Sequence, residues 1–382
     1  MIIFKFLKSW ISNIDWFLIL AVLPIIFFGL ITMNSFVEQN FYFYRQLIWL
    51  VFSFFVFSVV SLVDFKFLRR SIVVFWLYII SVASLLVLFI FGSIFSGAQS
   101  WLDFGLFSFQ PAEFSKLAII ILLAKYFSRR HVEIRNYVHI IISGAYAFIL
   151  FALIFIQPDF GSALIIFMIW FGMVLVSGLS KKHLFVLISL GATIFMVLWF
   201  FLLADYQKDR ILIFLNPLED IQGAGYNAYQ SMVSVGSGQL LGKGVGYGTQ
   251  SRLSFLPEYQ TDFIFAAFAE EWGFVGVLIL FICYGFLIFR IISIAYKGAT
   301  NFEVLFGLGV AIMFMSHFIV HVGMNIRLMP ITGLTLPFMS YGGTNLLLSF
   351  VSLGILVSMK RNSRIAHKDL ADNEFVAIDQ IF

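Results

Sequence analysis

The chain has 382 residues, of which 61% are hydrophobic and only 12% are charged, and its mean hydropathy is +1.00. Soluble globular domains carry roughly one quarter charged residues, so this composition excludes a soluble enzyme and predicts a polytopic membrane protein. The formal net charge of +4 is too small to suggest a nucleic-acid partner. The positions of the Lys and Arg residues along the chain are more informative than their sum.

Apolar segments long enough to cross the hydrocarbon core as helices occur ten times along the chain. They are centred on residues 16–35, 44–63, 72–93, 112–127, 138–156, 160–178, 184–204, 262–289, 303–323 and 341–359. The first is interpreted as a retained span, because no small-residue cleavage site follows it. The expected fold is therefore all-α, with one transmembrane domain over residues 1–382 and about ten helices.

The distribution of Lys and Arg sets the orientation of these spans. Most of the 24 Lys and Arg residues lie in segments on the same side as the N-terminus. By the positive-inside rule, both termini are expected in the cytoplasm, with residues 360–382 as a short cytoplasmic tail. The long connection 205–260 then lies outside. Connections of this length are functional or disordered, and its aromatic and glycine-rich motifs favour a loop folded onto the membrane surface.

A charged pair lies near the outer end of the fourth predicted helix. Glu113 and Lys116 are three residues apart and therefore share one helix face. One interpretation is a structural ion pair that faces other helices, which is how membranes tolerate buried charge. The other is a cation that lines an outward cavity beside an acid. The spacing leaves both interpretations open.

Asp262 follows Thr261 at the start of the eighth predicted span. One interpretation is a simple helix N-cap, for which Thr and Asp are both preferred. The alternative is a general base at the bottom of an outward cavity, because acids and bases concentrate in the outer half of the chain. Glu270 and Glu271 lie two to three turns deeper, where a bond to a neighbouring helix and a proton relay are the two interpretations, and the supporting role is favoured.

Two glycine-rich segments flank these residues. Segment 236–250 is not a P-loop, since Gly244 follows Lys243 where Ser or Thr is needed, yet its amides and Lys243 could hold an anionic headgroup. Segment 328–343 contains two prolines beside a span, and such broken backbone is predicted to line the same cavity, where Ser340 adds a hydroxyl. His317 and His321 are interpreted as packed or hydrogen-bonded histidines rather than a metal pair.

Six motifs, in this order and spacing, resemble the SEDS family (shape, elongation, division and sporulation). They are Gln110-Pro-Ala-Glu113-Phe-Ser-Lys116, Gln157-Pro-Asp159-Phe-Gly-Ser, Gly242-Lys-Gly, Phe255-Leu-Pro-Glu with Thr261-Asp262-Phe-Ile-Phe, Glu270-Glu271 and Ser340-Tyr-Gly-Gly. The resemblance covers nearly the whole chain. The sequences around residues 248–258 and 270–274 are more similar to the RodA branch than to the FtsW branch.

The resemblance implies a glycosyltransferase that polymerises lipid II into glycan strands on the outer face of the bacterial cytoplasmic membrane, for cell elongation and shape. It also implies a class B penicillin-binding protein as partner, besides membrane lipids. Asp262 matches the family's essential aspartate, and Glu113 and Lys116 match its charged pair. The pyrophosphate leaving group needs positive charge, which a Mg or Mn ion could supply. The candidate substrate-binding residues are Glu113, Lys116, Arg210, Lys243, Arg252 and Ser340.

Two other functions are compatible with ten spans and buried charges. A lipid II flippase would need polar groups spread through the midplane and an inward-open path. The polar residues here cluster on the outer side instead. A non-catalytic scaffold for a penicillin-binding protein would have no use for buried charges, which are costly to keep. The sequence therefore favours the polymerase.

Overall fold

The computed structural model describes residues 15–35, 41–95, 98–105, 108–129, 137–178, 181–197, 200, 208, 224–253 and 255–379. Helices account for most of these residues. They are α1 (Trp16–Asn34), α2 (Phe41–Leu62), a 3₁₀ turn (Phe65–Arg69), α3 (Ser71–Phe91), α4 (Pro111–Ser128), α5 (Tyr137–Ile156), α6 (Phe160–Val176), α7 (Lys181–Val197), α8 (Ala224–Ser237), α9 (Thr249–Arg252), α10 (Ile264–Ala295), α11 (Asn301–Asn325) and α12 (Gly343–Asp379).

Each of the ten predicted spans corresponds to one long helix, namely α1 to α7 and α10 to α12. Within the described residues, seven helices are long and apolar enough to cross a membrane: α1, α2, α3, α5, α10, α11 and residues Gly343–Asn362 of α12. Helix α6 is a shorter apolar helix. The expected multi-helix fold is confirmed, and the orientation of the termini stays a prediction.

A small antiparallel sheet between α3 and α4 adds to the predicted all-helical fold. Its strands are β1 (Ser93–Phe95), β2 (Ala98–Asp103) and β3 (Ser108–Phe109), in that spatial order. Gly105 lies between β2 and β3 with φ of 79°, a conformation that glycine adopts without steric penalty. The strands were missed because the apolar residues of β1 are continuous with those of the preceding span.

The interior of the bundle is built around α4 and α11. Helix α4 packs against α3, α6 and α11, and nearly all of its side chains are buried, including its charged pair. Helix α11 also packs against α6 and α10. Gln110 Nε2 donates to Asp159 Oδ2 at 3.1 Å, which holds the N-termini of α4 and α6 side by side. These two helix starts lie at the end of the bundle where the candidate residues gather.

Two predicted segments are described only in part. The predicted outer loop 205–260 contains α8 and α9, and Arg210 lies outside the described residues. The predicted tail 360–382 continues α12 as helix to Asp379. The assignment of these segments to the outside and to the cytoplasm stays a prediction.

Candidate active site

Asp262 lies immediately before α10 and is held there by its backbone. Its N–H donates to Glu258 O at 3.0 Å, and its carbonyl oxygen accepts from Asn325 Nδ2 at 3.0 Å. The N-cap of α10 is Phe263, without a side-chain capping bond. The interpretation of Asp262 as a helix cap is therefore wrong, because its carboxylate does not serve the helix terminus.

The surroundings of Asp262 make its carboxyl group a weaker acid than an ordinary aspartate. Burial raises the pKa of Asp262 to about 7, and the nearby Glu258 carboxylate acts in the same direction. A hydrogen bond with the Thr261 side chain lowers the pKa by less, and the Asp159 carboxylate raises it further. A carboxylate with a pKa near neutrality can both hold and release a proton, as a general base requires.

The segment predicted to line the cavity lies against Asp262. Gly333 has φ of 67°, and a Cβ atom added there would lie 3.6 Å from Asp262 Oδ2. Ser340 accepts from the Leu336 N–H at 2.8 Å, and its hydroxyl donates to the Thr261 carbonyl at 2.7 Å. The structure therefore places Ser340 against the residue before Asp262, where it ties the two segments to each other.

Glu113 and Lys116 form a buried ion pair. Lys116 Nζ lies 2.7 Å from Glu113 Oε1 and 3.2 Å from His317 Nε2. Glu113 Oε2 accepts from Asn345 Nδ2 at 3.2 Å. The Lys116 side chain is fully buried, so the structural ion pair is confirmed, whereas a direct role in binding substrate stays a prediction. Both charges interact electrostatically with Asp159, which in turn interacts with Asp262.

The glycine-rich loop 238–250 wraps around the carboxylate of Glu270. Glu270 Oε1 accepts from Lys243 Nζ at 2.6 Å and from the Thr249 N–H at 2.8 Å, and the Gln250 N–H adds a longer bond. The Glu270 carboxylate thus accepts hydrogen bonds from the loop amides and Lys243 that were predicted to bind an anionic headgroup. The predicted supporting role of Glu270 is confirmed, and substrate binding by Lys243 stays a prediction.

The same loop fills a break in α10. Gly273 has φ of 66° and ψ of −168°, which interrupts the helical hydrogen bonds. Loop backbone groups replace them in four bonds: Lys243 N–H to Glu270 O, Gly244 N–H to Glu271 O, Phe274 N–H to Gln239 O and Val275 N–H to Leu240 O. Irregular backbone inside an apolar helix is tolerated only when protein groups satisfy it in this way.

The remaining cationic candidates lie elsewhere. Arg252, on α9, is exposed and donates from Nη1 to the Gly246 carbonyl at 3.2 Å. The described contacts of Lys243 and Arg252 are thus within their own loop or with Glu270, not with Asp262. No group of three or more His, Cys, Asp or Glu side chains among the described residues is arranged to hold a metal ion.

Sequence reasoning missed two asparagines at this site. Asn325 accepts from the Ala266 N–H while it donates to the Asp262 carbonyl, and Asn345 donates to Glu113. A buried amide inside an apolar helix was the available signal, because such a group must find partners. The interpretation of His317 and His321 as hydrogen-bonded histidines is confirmed, since each ring contacts a carbonyl oxygen.

Fold and site together define a multi-pass membrane protein with a buried acid–cation cluster at one end of its bundle. The family model FTSW_RODA_SPOVE, described as a cell cycle protein, matches residues 10–365. The chain therefore belongs to this family, and the resemblance to the SEDS proteins is confirmed.

Relatives and solved structures are consistent with the family match. The peptidoglycan glycosyltransferase MrdB of Escherichia coli K12 is 38% identical over 295 residues, which cover 77% of this chain and 80% of MrdB. The probable peptidoglycan glycosyltransferase FtsW of Haemophilus influenzae is 35% identical over 293 residues, covering 76% and 74% of the two chains.

Two solved structures share the fold. A chain of a peptidoglycan synthase complex that coordinates polymerization and crosslinking superposes with a TM-score of 0.79 at 29% identity, covering 91% of this chain and 98% of that one. The rod shape determining protein RodA of Thermus thermophilus gives a TM-score of 0.68 at 27% identity, covering 91% and 97%.

Proposed function

We propose that this protein is a peptidoglycan glycosyltransferase that polymerises lipid II into glycan strands, with Asp262 as the general base. The observation that carries the proposal is the Asp262 carboxylate, which lies against the backbone of Gly333 and whose pKa is raised to about 7 by burial and by the Glu258 and Asp159 carboxylates. It belongs to a chain whose relatives are named peptidoglycan glycosyltransferases. The similarity to RodA and MrdB supports a role in cell elongation and shape.

The reaction forms one glycosidic bond and breaks one bond to pyrophosphate. A hydroxyl oxygen of the acceptor sugar attacks the anomeric carbon of the donor, whose bond to the lipid pyrophosphate oxygen breaks. The hydroxyl proton passes to Asp262, which must therefore start each cycle ionised. A base whose pKa lies near the working pH combines a useful ionised fraction with proton affinity.

Charge that develops on the leaving pyrophosphate needs a positive partner. The Lys116 side chain is fully buried, paired with Glu113 and in electrostatic interaction with Asp159, so it exposes no atom to a pyrophosphate in this structure. Arg252 is the exposed cationic candidate, and Lys243 would have to exchange Glu270 for the pyrophosphate. No group of three or more His, Cys, Asp or Glu side chains among the described residues is arranged to hold Mg or Mn. A polymerisation assay with and without chelator tests the metal requirement.

The site is proposed to face the outside of the bacterial cytoplasmic membrane, with both termini in the cytoplasm. The distribution of Lys and Arg supports this orientation. A class B penicillin-binding protein is proposed as the partner that crosslinks the strands. The support is the structural similarity to a chain from a complex that joins polymerization to crosslinking.

The proposal is tested with purified full-length protein and lipid II. Asp262→Asn keeps the size of the side chain but removes the base, so we expect polymer yield to fall by roughly 100-fold or more. Asp103→Asn, which changes an acidic residue of the outer sheet, serves as the matched control and should polymerise normally. A folded Asp262→Asn protein with near-normal yield would refute the assigned role. Translocation of lipid II across liposomes without polymer would favour the flippase instead.

A further inference from the structure

Three polar side chains form one stripe along α11. His317, His321 and Asn325 follow each other at intervals of four residues, so they share one face of the helix. All three are buried. Buried polar groups in an apolar helix need partners, and those of these three include the segment before α12, the start of α10 and Lys116 on α4.

The contacts of the two histidines define their tautomers. His321 Nδ1 lies 2.7 Å from the Leu334 carbonyl oxygen, and His317 Nδ1 lies 3.2 Å from the Thr335 carbonyl oxygen. A carbonyl oxygen can only accept, so both rings carry a proton on Nδ1. The Nε2 atom of a neutral ring is then an acceptor. His317 Nε2 accordingly faces the ammonium group of Lys116 at 3.2 Å.

The two carbonyl groups that the histidines hold belong to the residues directly after Gly333. The backbone of Gly333 lies against the carboxylate of Asp262, and its positive φ makes this conformation one that side-chain-bearing residues avoid. Two neighbouring hydrogen bonds from α11 therefore fix the backbone that directly follows Gly333 and forms one wall of the Asp262 site.

We propose that His317 and His321 are positioning residues, which hold the Gly333–Thr335 backbone against the Asp262 carboxylate. This inference rests on the proposed function and deepens it. It also gives the Glu113–Lys116 pair a role that needs no contact with substrate. Glu113 orients Lys116, Lys116 donates to His317, and His317 holds the Thr335 carbonyl.

Hydrogen exchange of the full-length protein measures this positioning without substrate. His321→Leu removes the bond to Leu334, so exchange in a peptide spanning residues 329–341 should rise roughly tenfold, the effect of losing one buried hydrogen bond. His321→Asn retains a donor close to the position of Nδ1 and should keep near-wild-type exchange. His139→Leu removes another buried histidine, on α5 beside the Tyr126 hydroxyl, and should leave this peptide unchanged.

Kinetics on lipid II give the second measurement. A misplaced wall lowers the fraction of sites with a competent Asp262, so His321→Leu should lower kcat roughly tenfold with KM nearly unchanged, and His321→Asn should restore it. If His321→Leu does not fold, His317→Leu makes the same comparison at Thr335. Hydrogen exchange needs no substrate. If the wild-type protein has no polymerase activity, the proposed function is refuted, and the exchange experiment still tests whether the histidines position the Gly333–Thr335 backbone.

Two results would overturn the inference. One is wild-type exchange and kcat in both His321→Leu and His317→Leu. The other is equal damage in His321→Asn and His321→Leu, because the important atom would then be Nε2 of His321, which is buried and has no hydrogen-bond partner among the described residues.

Discussion

Most of the groups around Asp262 disfavour its ionised form, and only the hydrogen bond with the Thr261 side chain favours it. Burial and the carboxylates of Glu258 and Asp159 all disfavour the ionised form, and they raise the pKa of Asp262 to about 7. Because the proposed mechanism uses the ionised form, the polymerisation rate should rise with pH through about 7 and level off above it. Initial rates on lipid II across this range test the expectation.

Glu258→Gln is the sharpest variant for this pH profile. Glu258 is exposed, and only its charge is removed, so the pKa of Asp262 should fall and the rising limb should move to lower pH by about one unit or less. Asp103→Asn, at the end of β2, changes the net charge equally and should leave the rising limb in place. An unshifted limb in Glu258→Gln would mean that the titrating group is not Asp262.

At the scale of single residues, the sequence singled out the charged and hydroxyl side chains of this site but not the amides that hold them. Asp262, Glu113, Lys116 and Ser340 were identified, whereas Asn325 and Asn345 were not. The charged residues are conspicuous because ionisable groups are rare in apolar segments. An amide carries no such signal until the partner that it must satisfy is known. For Asn325 that partner is a backbone carbonyl 63 residues away, which no local pattern can reveal.

At the scale of elements, the junction of the glycine-rich loop with α10 depends on close backbone contact. Gly242 has φ of 80°, and a Cβ atom there would lie 2.1 Å from the Glu271 carbonyl oxygen. Gly246 has the same φ of 80°, with nothing within 4 Å of an added Cβ atom. Both positions therefore need a residue that tolerates positive φ, but only Gly242 also needs the absence of a Cβ atom.

Alanine at these positions should destabilise the protein unequally. Gly246→Ala places a Cβ atom on a residue with positive φ but causes no clash, so the free energy of unfolding should fall by about 1 kcal/mol. Gly242→Ala must also displace the backbone of α10, so we expect a total of about 3 kcal/mol or more. Thermal unfolding in a common detergent measures both variants. Equal unfolding temperatures for the two would show that the loop does not enter the helix break.

This junction also shows where prediction from the sequence ended. The run 262–289 has the length and apolar composition of a span, and the start of α10 was predicted within two residues. The break at Gly273 was not, because an isolated glycine in an apolar helix is common and usually harmless. What makes it a break is the loop that replaces the missing hydrogen bonds, and that pairing spans roughly 30 residues of sequence.

At the scale of the whole molecule, ion pairs lie at the end of the bundle opposite to Asp262. Helix α10 begins two residues after Asp262 and is interrupted at Gly273, and its length up to Arg290 near its last turn is at most about 40 Å. Near that turn, Arg290 Nη2 lies 2.7 Å from Asp15 Oδ2, and Lys360 also contacts Asp15. Asp15 precedes α1 and accepts from the Leu18 N–H. One carboxylate thus joins α1, α10 and α12.

Asp15→Ala should lower stability without changing the chemistry. Burial alone would raise the pKa of Asp15, but the hydrogen bonds and charges of Arg290 and Lys360 outweigh it and lower the pKa. Removing a buried partner leaves two cations uncompensated, at about 3 kcal/mol. The exposed pair of Asp64 and Lys66 provides the matched control, and Asp64→Ala should lose less than about 1 kcal/mol.

The pH dependence of this loss follows from the lowered pKa. A carboxyl group whose folded-state pKa is depressed stabilises the protein above its unfolded pKa of about 4, and this stabilisation disappears as pH falls through the folded-state pKa. The gap in unfolding temperature between wild type and Asp15→Ala should therefore be full at pH 7 and shrink in acid. Because the cluster lies a membrane thickness away from Asp262, kcat of the folded Asp15→Ala protein should match wild type. A lower kcat at unchanged stability would mean that this end of the bundle controls the reaction instead of only holding three helices together.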